Sequence, residues 1–206
     1  MDKKESRNRS ICHLTLLLIL LTIEVHFTFI YKIMSDETFT FKLPSMDPNK
    51  ADQLFFEADE KIKQNLFAEA KEILEQAILT NPKHGRAHNH LAWLYETKYQ
   101  DFTKASEHYQ QAIEFAPEYP AGYANYAVLL CTMERYDELE KHIKRALEVP
   151  GIYKETLYNQ YAIMSERQGK LDQAIENYTK ALNYVLNEQG VTTYKAAIAR
   201  CKSKMS

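Results

Sequence analysis

The sequence has little that turns a chain sharply. Five glycines and six prolines make 11 of its 206 residues, about half the roughly 12% combined share of average proteins. An all-β fold of many tight turns is therefore not expected. Cysteine is scarce too. Cys12, Cys131 and Cys201 are odd in number and far apart, which fits neither a disulfide framework nor the paired spacing of a structural zinc site. No charge of one sign dominates: 26 Lys and Arg stand against 28 Asp and Glu, a formal net charge of -2. That leaves no global basic surface for phosphate, and nucleic acid is not an expected partner. The chain also lacks a glycine-rich phosphate loop, a Gly-x-Ser-x-Gly elbow and a His-Glu-x-x-His pair. No catalytic residue, metal ligand or cofactor site is thus marked by local spacing, and the expectation is a non-enzymatic protein. His84 and His88 have helical four-residue spacing, with His90 nearby, but the pattern supplies no further ligands. Two of the three are expected to lie around a helix start at the repeat junction.

One feature runs against this restraint. Residues 11 to 31, ICHLTLLLILLTIEVHFTFIY, are long enough to cross about 30 Å of hydrocarbon as a helix. Their thirteen Leu, Ile, Val and Phe contribute about -4 to -8 kcal/mol to insertion, against about +3 for Glu24. Lys3, Lys4, Arg7 and Arg9 precede the run and Lys32 follows it, which predicts a single pass with the N-terminus in the cytoplasm. Three readings stay open. The run is an uncleaved signal anchor, since no Ala-x-Ala-like site follows its core; or a cleaved signal peptide; or it lies upstream of a start at Met34, which makes the protein cytoplasmic. The organisation expected is a leader and apolar segment over 1–33 and a linker over 34–50.

Beyond residue 50 the chain repeats. Ala77, Ala112, Ala146 and Ala181 sit in EQAIL, QQAIE, KRALE and TKALN at steps of 35, 34 and 35. Seven residues before them stand Ala70, Ala105, Leu139 and Ala174, and a second series, Ala58, Ala92, Ala127 and Ala162, runs at 34, 35 and 35. Two helices per unit follow, with small residues where two antiparallel helices cross closely. Asp47-Pro48 reads as a helix start, Asn81-Pro82 and Ala116-Pro117 as unit ends, and Gly169 as a turn between paired helices. Val191, Tyr194, Ile198 and Cys201 form one apolar stripe near the C-terminus, with Lys195, Arg200, Lys202 and Lys204 expected on the outer, solvated side of a capping helix.

These features resemble the tetratricopeptide repeat family, whose 34-residue unit has small residues at its eighth, twentieth and twenty-seventh positions and proline near the thirty-second. GRAHNHLAWLYETKYQDFTKASEHYQQAIEFAP and ETLYNQYAIMSERQGKLDQAIENYTKALNY carry the likeness best. YANYAVLL is loosely similar to pilus-assembly members. The third unit departs, with Leu139 for alanine and Pro150-Gly151 at its end. The resemblance implies an all-α superhelix of four repeats, 51–84, 85–119, 120–154 and 155–188, closed by a capping helix over 189–206.

It also implies where function sits. In this family the first helix of each unit lines a concave groove that takes a peptide or helix of a partner protein. The matching positions are Asp52, Phe55, Asp59, Arg86, Asn89, Trp93, Glu96, Ala124, Val128, Cys131, Asn159, Ile163, Glu166 and Arg167. Trp93, the only tryptophan, is either a binding anchor or packing between the first two units. The carboxylate clamp of chaperone-binding members is not matched: Phe55, Asp59, His90, Ala121 and Asn125 stand at its positions, so a chaperone tail is not expected to bind that way. The expected function is a protein-binding scaffold, membrane-anchored and serving assembly, or else a soluble cytosolic adaptor or co-chaperone beginning at Met34; a metal-dependent or catalytic protein is the least favoured reading.

Overall fold

Alanine at the crossing points allows neighbouring helices to approach closely, and the described chain is built from that contact. The computed structural model describes residues 48–206, and the apolar run and Asp47 lie outside the described residues. Nine helices follow in order: α1 (Pro48–Lys63), α2 (Phe67–Thr80), α3 (Gly85–Leu94), α4 (Phe102–Phe115), α5 (Pro120–Thr132), α6 (Tyr136–Ala146), α7 (Lys154–Arg167), α8 (Leu171–Leu182) and α9 (Glu188–Met205). No strand occurs among the described residues. The first eight helices pair into four hairpins, and α9 packs on the last. Ala58, Ala70 and Ala77 are fully buried in the first hairpin, as are Ala162, Ala174 and Ala181 in the fourth. Leu139 is fully buried where the other hairpins have alanine.

The helix ends show why each element stops. Within every hairpin the residue five before the second helix's first crossing position (Ala70, Ala105, Leu139 or Ala174) takes a left-handed backbone: Asn65 (φ 61), Gln100 (φ 53), Glu134 (φ 57) and Gly169 (φ 73). The next amide then reaches back to the end of the first helix: Leu66 to Lys61, Asp101 to Tyr95, Arg135 to Leu130 and Lys170 to Ser165, at 2.8 to 3.0 Å. This closes the orphan carbonyls of the helix end. Helix starts are capped by His84, whose Nδ1 accepts from Ala87 N at 3.0 Å, by Asp101 under Lys104 N and by Asn187 under Gly190 N; α5 opens on Pro120.

The uneven repeat steps have two structural causes. Ala58 to Ala70 spans 12 residues but Ala92 to Ala105 spans 13. The added residue is absorbed in a π-helical turn, Tyr95–Tyr99, that continues α3. The second added residue lies between Ala146 and Ala162, in the connection that carries Gly151 at φ 73.

The core has two parts. One buried cluster runs through the first three hairpins and onto α7 through Leu157 and Met164. The second joins the fourth hairpin to α9 through Ala162, Ala174, Tyr178, Ala181, Tyr194, Ala197 and Cys201. Two of the basic side chains on the outer side of α9 are exposed, as expected, but are also paired. Arg200 and Lys204 turn back onto Glu166 of α7, because a long cationic stem can cross an apolar surface to reach a carboxylate.

Candidate binding groove

The first helices of the hairpins, α1, α3, α5 and α7, are linked edge to edge by side chains. Between α1 and α3, the Arg86 guanidinium lies 4.5 Å from the Phe55 ring centroid and 5.5 Å from that of Phe56, and His90 Nε2 is 3.5 Å from Asp59. Between α3 and α5, Asn125 Nδ2 donates to Asn89 Oδ1 at 3.1 Å. Between α5 and α7, Cys131 Sγ donates to Gln160 O at 3.8 Å, and Arg167 donates to Cys131 O at 3.2 Å. The wall is therefore stitched along its length by groups that the sequence offers as ligand contacts.

That stitching corrects part of the expected wall. Phe55, Asn89, Ala124 and Cys131 are buried, each 4% exposed or less. Phe55 sits under Arg86 and against His84 and His90. Asn89 is taken by Asn125 rather than free to hold a ligand backbone. The Cys131 thiol is pushed up by burial, so it is a packing group and no nucleophile. Glu166 is also removed from the wall: Arg200 grips both its oxygens at 2.9 and 2.7 Å, Lys204 adds a contact at 2.7 Å, and Tyr178 donates at 3.0 Å. The Arg200 hydrogen bonds, with Lys204 and Tyr178 behind them, hold its carboxyl well below the usual range.

Other members of the set remain reachable. Arg86, Asp52 and Arg167 are exposed; Asp52 accepts from His84 Nε2 at 3.0 Å, and Arg167 lies 3.6 Å from Glu134. Asp59 is partly buried, and its hydrogen bond to Lys63 is the largest of the influences that together lower its carboxyl. Trp93, Val128, Ile163 and Asn159 are all partly exposed. Trp93, Val128 and Ile163 hold the same place in successive hairpins, one residue after the central alanine. Trp93 meets Phe67 of α2 edge to face at 6.2 Å, with Lys98 Nζ 5.3 Å from its ring, so it packs between the first two hairpins and still presents surface.

Glu96, three residues on from Trp93, is half-buried. It accepts from the fully buried Tyr109 hydroxyl at 2.7 Å, and burial pushes its carboxyl up despite that bond. No ion pair to it forms among the described residues.

Two groupings were not legible in the sequence. His88 Nε2 donates to Pro82 O at 2.9 Å, leaving its Nδ1 to accept from His108 Nδ1 at 3.0 Å. The signal for His108 lies twenty residues away, on another helix. A cleft of about 570 Å³ lies at the α6–α7 and α8–α9 connections, lined by Tyr153, Lys154, Glu155, Tyr184, Val185 and Leu186 among others, and by none of the expected wall residues. Leu186, 99% exposed, and the exposed Tyr153 and Tyr184 mark it on the surface. No group of three or more metal-ligating side chains occurs among the described residues, and no described helix is long and apolar enough to cross a membrane.

Comparison with known proteins agrees with this architecture. No curated protein sequence matches the chain. Among solved structures it is similar to Pseudomonas aeruginosa PilF, from a functional characterisation, at 21% identity and TM-score 0.66, covering 76% of this chain and 69% of that one. It is similar to YrrB, described as a TPR protein with an unusual peptide-binding site, at 14% identity and TM-score 0.59, covering 74% and 76%. The first TPR of Spaghetti (RPAP3), bound to the HSP90 peptide SRMEEVD, aligns at 19% identity and TM-score 0.54, covering 60% and 97%. Residues 57–138 match the tetratricopeptide repeat family model. With that match set among four alanine-crossed hairpins, residues 57–138 are identified as tetratricopeptide repeats, in a chain whose described part has the fold of such proteins.

Proposed function

We infer that the protein is an interaction scaffold that holds a peptide or helix of another protein along the wall of first helices. The observation that carries this is the row Trp93, Val128 and Ile163: three apolar side chains at one place in successive hairpins, each only partly covered. A regular apolar row flanked by amides and charges is what an extended or helical segment needs for affinity and register. The peptide-bound and peptide-binding structural neighbours support the same use of the fold. On this reading the protein does no chemistry of its own, and residues 11 to 31 tether it to a membrane as an assembly factor. The alternative, a soluble adaptor beginning at Met34, uses the same groove. Carbonate extraction with intact mass of the natively expressed protein separates the two.

The groove itself is tested by selecting random displayed peptides on the full-length chain in mild detergent. Selected peptides should compete with one another, and their affinity should fall at least about tenfold in Val128→Arg, Trp93→Ala and Asn159→Ala, a loss of about 1.4 kcal/mol or more. Peptides indifferent to all three substitutions would remove the wall as the site.

A further inference from the structure

Two of the four hairpins carry the same carboxylate–phenol pair. Glu96 and Glu166 each stand four residues after the central alanine, Ala92 or Ala162, and Tyr109 and Tyr178 each stand four after Ala105 or Ala174. Each tyrosine donates to its glutamate, at 2.7 and 3.0 Å. The pairs differ in what arrives from outside the hairpin. On Glu166 the following helix, α9, sets a guanidinium and an ammonium. These come from Arg200 and Lys204, three and seven residues after Ala197. The following helix at the second hairpin is α5, and three and seven residues after its Ala127 stand Leu130 and Glu134. Leu130 is fully buried and brings no charge. Glu96 is left half-buried, fixed by one neutral donor and unpaired with any cation among the described residues.

Beside it, on the same helix face, lies the one tryptophan, and that face already attracts a cation: Lys98 Nζ sits 4.1 Å from the Phe67 ring and 5.3 Å from the Trp93 ring. A fixed, partly desolvated carboxylate next to an aromatic face is suited to a guanidinium, which can donate two hydrogen bonds to the carboxylate and stack on the ring. We propose that Glu96 with Trp93 forms a subsite of the groove for a basic side chain, arginine above lysine, so that the partner segment is a positively charged peptide. The subsite rests on the groove reading above and adds to it the chemistry of the occupant. The fourth hairpin shows within the same chain what such a pair accepts, and there its demand is met internally.

The test uses the full-length chain in mild detergent and three fluorescein-labelled twelve-residue peptides, alternating Ala-Arg, Ala-Gln and Ala-Glu, read by anisotropy at about 0.1 M salt. The Arg peptide should bind at least about tenfold more tightly than the Gln peptide and should perturb Trp93 emission. Glu96→Gln should remove most of that preference, whereas Glu107→Gln, which deletes an exposed charge on α4, should leave it. Because added salt weakens any charged encounter, the preference must persist in Glu107→Gln to count as specific. Equal binding of the Arg and Gln peptides, or an Arg preference unchanged in Glu96→Gln, overturns the subsite. If at the same time displayed peptides of other character bind and lose affinity in Val128→Arg, the groove stands and only the basic occupant falls. If no displayed peptide depends on the wall, the groove reading falls as well.

Discussion

The second hairpin is shut at its open end, and the fourth is splayed. Seven residues before the central alanine the second has Gly85 and the fourth Glu155; four residues after the last alanine they have Ala116 and Val185. A Cβ on Gly85 would come within 2.6 Å of Ala116 Cβ and 2.9 Å of Ala116 N, so the start of α3 lies directly on the end of α4. In the fourth hairpin the bulk of Glu155 and Val185 prevents that approach. Both residues line the cleft of about 570 Å³, and the gap is spanned by hydrogen bonding instead, with the Tyr194 hydroxyl on Glu155. The same repeat is thus closed by backbone proximity in one place and by a capping helix in another. The second solution leaves a cavity, and it explains why α9 carries a buried tyrosine, Tyr194, whose hydroxyl reaches Glu155.

The largest effect should come from forcing the second hairpin toward the geometry of the fourth. Gly85→Ala places a methyl where another methyl and an amide already stand, and neither belongs to a flexible side chain. Overpacking of this kind costs about 1 to 3 kcal/mol, more than the gain in helix propensity can return at a first turn. Urea unfolding should show a lower midpoint at an unchanged slope. An unaltered midpoint would mean that the contact is not tight and that the two open ends differ less than their residues imply.

How much of this contrast was legible beforehand depends on what a period can report. The alanine series pointed to paired helices because crossing distance constrains residue size, and the described residues form paired helices with no strand among them. The stripe on α9 located Tyr194 and Cys201, which are buried. A repeat step of 35 instead of 34, however, says only that a residue was added. Whether a helix absorbs it as a π turn at Tyr95–Tyr99 or a loop takes it near Gly151 depends on local hydrogen bonding that spacing does not encode. The wall was legible as a set of positions but not as a set of depths. Phe55 and Asn89 share the face of Trp93, yet Arg86 and Asn125 cover them. Arg200 and Lys204 look like a solvated basic end because their own helix offers them no carboxylate; their partner, Glu166, is more than thirty residues away.

A smaller effect should follow acidification, again mostly at the second hairpin. Burial, reinforced by the neighbouring His88, pushes His108 down to about 4, and burial also lowers His88. The groups facing the pair are Glu75 from α2, His84 before α3, and Lys104 and Gln111 from α4. A base depressed in the folded state is protonated first in the unfolded chain, so stability is full above about pH 6.5 and is lost as pH falls toward about 4. The ideal slope is about 1.4 kcal/mol per pH unit for one group. Discounting for the partial exposure of His108, about 1 to 2 kcal/mol should disappear over this window. His108→Gln, whose amide can still donate to His88, should flatten the pH dependence of the urea midpoint by up to about one proton. A slope identical to that of the parent would place the acid sensitivity in His90 or His142, both also lowered by burial.

The smallest effect concerns the opposite, closed ends, where the second and fourth hairpins make the same left-handed turn with different residues. Gly169 adopts φ 73 without a Cβ to strain and has nothing within 4 Å of where one would stand. Gln100 adopts φ 53 with its side chain in place. Gln100→Gly should therefore stabilise the chain by about 0.5 to 1 kcal/mol, and Gly169→Ala should destabilise it by a similar amount, since a left-handed backbone favours glycine more than the unfolded chain's added freedom disfavours it. Both are read as opposite shifts in thermal midpoint. Should Gln100→Gly instead lower the midpoint, the π-helical turn that ends at Tyr99 would be relying on the stiffer residue to stop it. The added residue of the second repeat would then be held by its turn rather than merely tolerated.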